Sequence, residues 1–158
     1  MQFADHRFTV SEVATLTETN LGTIQAWRRK GYFTLDESGG WHRFTTSELF
    51  TIAVFAEVNA VCRDQGFASS AASFGVQMLA EVIDQEAKPY LVGTPTGDAP
   101  PVMEITYGAR DVGRVLGQLI AGGADAGAFV VVDYSAIFQR LLSRLHAGGY
   151  ADKADGAA

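Results

Sequence analysis

Thr19-Asn20-Leu21-Gly22-Thr23-Ile24-Gln25-Ala26-Trp27-Arg28-Arg29-Lys30-Gly31 reads as one short helix with both ends marked. Thr19 or Asn20 supplies a capping oxygen, Leu21, Ile24 and Trp27 recur one turn apart as an apolar face, and Gly31 is the stop. Arg28, Arg29 and Lys30 crowd its last turn. Upstream, Thr9-Val10-Ser11-Glu12 forms a capping box that opens a helix to about Leu16, and Thr17 to Asn20 is a polar turn. Downstream, the β-rich runs Tyr32 to Leu35 and Trp41 to Thr45 flank Asp36-Glu37-Ser38-Gly39-Gly40, the composition of a hairpin with a longer loop. Helix, turn, helix and two-stranded wing make a winged helix-turn-helix, whose second helix enters the major groove while the wing reaches flanking phosphates.

Thr45-Thr46-Ser47-Glu48 is a second capping box, opening a helix to about Gln65 that Gly66 should stop. Leu49, Phe50, Ile52, Val54, Phe55, Val58 and Val61 make it apolar on nearly every side, so it must pack on more than one face. A fourth helix is expected from Ser69 or Ser70 to about Ala87, ahead of Pro89. The texture then changes. Tyr90-Leu91-Val92 and Val102 to Tyr107 read as strands around a proline-bearing loop from Thr94 to Pro101. Val112, Val115, Leu116, Leu119 and Ile120 keep helical spacing, Phe129 to Val132 is a fully apolar strand, and Tyr134 begins a last amphipathic helix. Val102 to Val132 is long enough for a right-handed parallel crossover, so a small sheet of about three strands with helices on one face is expected.

The implied class is α+β. Residues 1–66 would be a winged helix-turn-helix, 67–88 a connecting helix, 89–150 a small αβ dimerisation or effector domain with a short mixed sheet, and 151–158 a disordered tail.

Phe8 to Ala14, Thr23 to Phe33, Gly40-Trp41-His42-Arg43-Phe44-Thr45 and Glu48-Leu49 together resemble the MerR-type DNA-binding domain in order and spacing, over roughly Phe8 to Gln85. The resemblance implies that Trp27 is a core aromatic near the DNA backbone and that Arg43 contacts phosphate; His42 stands where an arginine is usual. The DNA-binding set is then Asn20, Thr23 and Gln25 on base edges, with Arg28, Arg29, Lys30, His42 and Arg43 toward the backbone. Several positions depart from the pattern. His42 is largely neutral at pH 7, Asp36 and Glu37 place negative charge in the wing loop, and Gly22 stands where a longer side chain could read a base. Affinity per monomer is therefore expected to be weak. The long coiled-coil helix through which many relatives dimerise is absent, because Pro89 and the strands follow the fourth helix. The dimer surface expected instead is the stripe Tyr134, Ile137, Phe138, Leu141, Leu142 and Leu145, shared with the local core.

Twelve basic against eighteen acidic residues leave a net charge of −6, so any anion site must be local. The one cysteine, Cys62, forbids an internal disulfide and reads as a small hydrophobe in the third helix. His6, His42 and His146 have no metal-ligand spacing, and the loop Gly122 to Gly127 follows a helix and precedes a strand, the reverse of a phosphate-cradling order. Asp133 and Ser135 read as helix caps. The expectation is a cytoplasmic, non-enzymatic transcriptional regulator without cofactor, metal site or membrane span, binding double-stranded DNA as a homodimer. The alternative is a protein-interaction module, an anti-regulator or co-regulator whose winged helix binds RNA polymerase or another regulator.

Overall fold

In the computed structural model, residues 6–33, 43–84, 87–95, 101–122 and 128–150 are described. The elements run α1 (Val10–Leu16), α2 (Leu21–Arg29), α3 (Thr46–Cys62), α4 (Gln65–Asp84), β1 (Pro89–Thr94), β2 (Val102–Tyr107), α5 (Ala109–Ala121), β3 (Val130–Asp133) and α6 (Tyr134–Ala147). Both capping boxes form: Thr9 and Thr45 accept from the amides of Glu12 and Glu48, whose carboxylates reach back to the cap amides. Asn20, rather than Thr19, caps α2, its Oδ1 accepting from Gly22 N–H at 2.8 Å. Gly31 follows α2 at φ +71°, a conformation that glycine adopts without a Cβ penalty. The hairpin loop, half of its first expected strand and two residues of its second, residues 34–42, lie outside the described residues, as does the tail 151–158; Tyr32 and Phe33, expected to begin the first strand, form a bend. Phe44, beyond that segment, pairs with Phe8 through two backbone hydrogen bonds of 2.8 Å.

The joint between α3 and α4 differs from the sequence expectation. Gly66 does not end α3 but lies in the first turn of α4, which begins at Gln65 instead of Ser69 or Ser70. Arg63 makes the break by taking the left-handed conformation itself, at φ +55°. Asp64 then caps the new helix, its Oδ1 accepting from Phe67 N–H at 2.8 Å. Most of α3's apolar side chains are buried, but Val61 near its end is 76% exposed.

The sheet has the order β2-β1-β3, with both pairs antiparallel. It is therefore not mixed. β2 and β3 run in the same direction, as the crossover expected, but β1 lies between them and they share no ladder. Helices also cover both faces instead of one. A Cβ on Gly93 would lie 2.9 Å from the Phe67 ring of α4, and Leu91 on the same face belongs to the main core. Val92, on the opposite face by strand alternation, is fully buried outside that core, as is Val115 of α5, which packs on β1 and β2.

One apolar cluster runs from Phe8 to Leu145, joining α1, α2, α3, α4, the sheet and α6. α6 packs against α1, α3 and α4, so it closes the core of the first half as well as covering the sheet. The Phe138 ring meets Phe50 edge-on with centroids 5.7 Å apart. The Tyr134 ring lies over Gly75, where a side chain would come within 3.1 Å, and its hydroxyl donates to Ala71 O at 2.7 Å. Burial pushes the Tyr134 phenol well above the usual tyrosine range. The stripe expected to be shared between the local core and a dimer surface lies largely in the core. Tyr134, Ile137, Phe138, Leu141 and Leu145 are at most 4% exposed within a single chain, and Leu142 packs against the same core. Side chains already removed from water have little area left to bury against a second copy, and Leu142 is the half-buried member of the stripe. No helix among the described residues is long and apolar enough to cross a membrane.

Candidate nucleic-acid interface

α2 is fixed from behind. Ile24 and Trp27 are buried, and the Trp27 indole packs 4.7 Å from the Phe55 ring of α3. Tyr32 stacks on the same Phe55 ring and Phe33 meets it edge-on, so the chain leaving α2 is held by the residue that holds α2. Ser69 Oγ donates to Tyr32 O at 2.6 Å, and the Tyr32 hydroxyl bonds Gln65, tying this exit to the start of α4. Burial of an aromatic group in close-packed surroundings sets the helix's rotation about its own axis. The spacing of Ile24 and Trp27 thus predicts their burial correctly. Leu21 does not follow them; it is 36% exposed at the start of the helix.

With that face fixed, Gln25, Arg28 and Arg29 project outward together with Leu21, at helical offsets of four, seven and eight. Lys30 is exposed just beyond the last turn, its Nζ 5.8 Å from the centroid of the Tyr32 ring. Asn20 is exposed, but its side-chain oxygen is engaged by the Gly22 amide, and Thr23 is half-buried. Of the expected base readers, Gln25 is thus the one presented in full. Arg43 is exposed next to Phe44, on the backbone bridge to Phe8. His42, expected beside it, lies outside the described residues. Arg7 was missed by motif reading. It is exposed next to Phe8, so the bridge carries a cation on each of its two chain segments; the signal available was a basic residue just ahead of the first capping box.

The acidic side chains described between residues 6 and 65 are turned to internal uses. Glu12 and Glu48 serve capping boxes, Asp64 caps α4, Glu18 pairs with Arg144 and Glu57 pairs with Arg140. The Arg140 guanidinium forks onto both Glu57 oxygens, and this hydrogen bonding raises its pKa against the opposing cost of burial. α2 itself contains no acidic residue. An acidic chain can therefore present a locally cationic face where, among the described residues, the neighbouring carboxylates are engaged.

Cys62 is half-buried, and its thiol donates to Val58 O at 3.2 Å, closing on its own helix. Asp133 caps α6, accepting from Ala136 N–H at 2.9 Å. Among the described residues no three histidine, cysteine or carboxylate side chains converge as metal ligands.

A scan against protein-family models finds no match for this chain, and a search of curated proteins finds none either.

Proposed function

We propose that the protein is a sequence-specific DNA-binding regulator of MerR-like type, with α2 as the recognition helix and the Phe8–Phe44 region as the base of a wing. The observation that carries this reading is the division of α2 into two faces: Ile24 and Trp27 locked against Phe55, and Gln25, Arg28, Arg29 and Lys30 turned outward without an acid among them. A helix held by one face and cationic on the other can lie in a major groove, with its arginines toward phosphates and a side-chain amide toward base edges. A few cations per copy give only weak non-specific affinity, so useful specificity requires two copies at fixed spacing on a two-fold site. Five of the six residues of the α6 apolar stripe are buried within the single chain, so a second copy would draw on other surface.

A second reading, a protein-interaction module that binds another regulator or RNA polymerase, is favoured by the net charge of −6 and by the engaged oxygen of Asn20, which reduces base-reading capacity. Selection from a random duplex library with the full chain separates the two. Enrichment of a two-fold symmetric sequence is expected for the regulator. Recovery of duplexes with no shared sequence, or of none, would favour the module.

A further inference from the structure

The turn that leads into α2 is closed by the last helix of the chain. A helix end leaves its final carbonyls without intrahelical partners. At the end of α1, Thr19 N–H donates to Ala14 O at 2.9 Å and Glu18 N–H to Thr15 O at 3.2 Å, the paired bonds of a Schellman cap. Glu18 occupies its left-handed position at φ +53°, and Thr19 Oγ1 donates to Thr17 O at 3.1 Å. Leu16 O is the carbonyl this cap leaves over. Arg144 of α6 donates to it from Nη1 at 3.0 Å, while its Nη2 lies 2.8 Å from Glu18 Oε2.

One guanidinium therefore completes the cap and holds the residue that makes the turn. A non-glycine residue in the left-handed region persists only where its surroundings over-determine it. Leu16 and Thr17 are buried, so a carbonyl left unpaired there would cost more than an exposed one. The planar fork of arginine supplies two donors in fixed relation, which a lysine cannot. One turn earlier on α6, Arg140 forks onto both carboxylate oxygens of Glu57 on α3. Glu18 and Glu57 border a single cleft of about 400 Å³ that also touches Asn20 and Trp27, so α6 braces both walls beside the start of α2.

We propose that Arg144 is a positioning residue for the recognition helix. By closing α1 and holding Glu18, it fixes the angle at which Asn20 launches α2, and it makes that angle depend on the seating of α6. The C-terminal half thereby sets the binding geometry of the N-terminal half. The inference rests on the DNA-binding reading for its consequence, but not for its structural content.

The test is hydrogen–deuterium exchange on the full chain, alongside duplex binding, for the wild type, Arg144→Ala and Arg144→Lys. In Arg144→Ala the amides from Thr19 to Ile24 should exchange about tenfold faster while those of α3 and α4 keep wild-type rates, and duplex affinity should fall by about tenfold, the scale of a lost charge-assisted hydrogen bond. Arg144→Lys should fall between, keeping the charge opposite Glu18 without the second donor. Unchanged exchange from Thr19 to Ile24 in Arg144→Ala would overturn the proposal. A uniform rise across all helices would overturn it too, since Arg144 would then serve general stability alone. A wild-type chain that binds no duplex would defeat the DNA-binding reading, while the exchange comparison would still decide whether Arg144 holds α2.

Discussion

Trp27 joins fold and site in one side chain: its indole is 7% exposed against Phe55, while Arg28 and Arg29, the next two residues, face outward. Truncating it removes the packing that sets the rotation of α2. Trp27→Ala should cost about 3 to 5 kcal/mol in denaturant unfolding, the range for a buried aromatic replaced by alanine. A mutant of near wild-type stability that has lost only DNA affinity would show instead that the ring acts at the nucleic acid. The burial of Ile24 and Trp27 was legible because helical spacing gives the direction in which a side chain points. Spacing does not give what stands opposite, which is why Leu21, in the same register, is exposed. Which of Thr19 and Asn20 caps the helix is open in the sequence for a related reason: both are capping residue types at adjacent positions, and only the backbone geometry selects Asn20.

Among the elements, the two capping boxes were readable because each is a local motif whose partners lie three residues apart. The α3–α4 joint was not, since Gly66 is the obvious stop and Arg63 takes the left-handed conformation in its place. That choice stores strain which a glycine would release. Arg63→Gly should raise stability by up to about 1 kcal/mol, the order of the penalty a side chain pays there, offset in part by the greater freedom of the unfolded chain. An unfolding midpoint lower than wild type would mean that the packing of the Arg63 side chain outweighs the strain. The strand order was equally hidden. Six-residue β1 pairs on both edges, and nothing in its sequence says that β2 and β3 will be kept apart by it.

At the scale of the molecule, the chain looks divided near Pro89 by texture, yet its core is continuous. The apolar stripe of α6 was legible as buried, but its partners lie on α1, α3 and α4, far away in sequence, where periodicity is silent. A chain ending at Lys88 would expose the surface that Phe138, Leu141 and Leu145 cover, so it should lose its cooperative unfolding transition, read by near-ultraviolet circular dichroism. A sharp transition in that fragment would make the first half an independent domain and α6 an accessory. The acidic whole and the basic end of α2 are reconciled by compensation: caps and α6 arginines engage the carboxylates described between residues 6 and 65, and α2 itself contains no acidic residue. The most direct test of that claim is the salt dependence of duplex binding for the wild type and for Arg29→Ala combined with Arg43→Ala. The account predicts weaker binding to specific and random duplexes alike in the double mutant, with the slope of log affinity against log salt reduced by about two, roughly one unit for each phosphate no longer neutralised. Unchanged affinity and slope would contradict it.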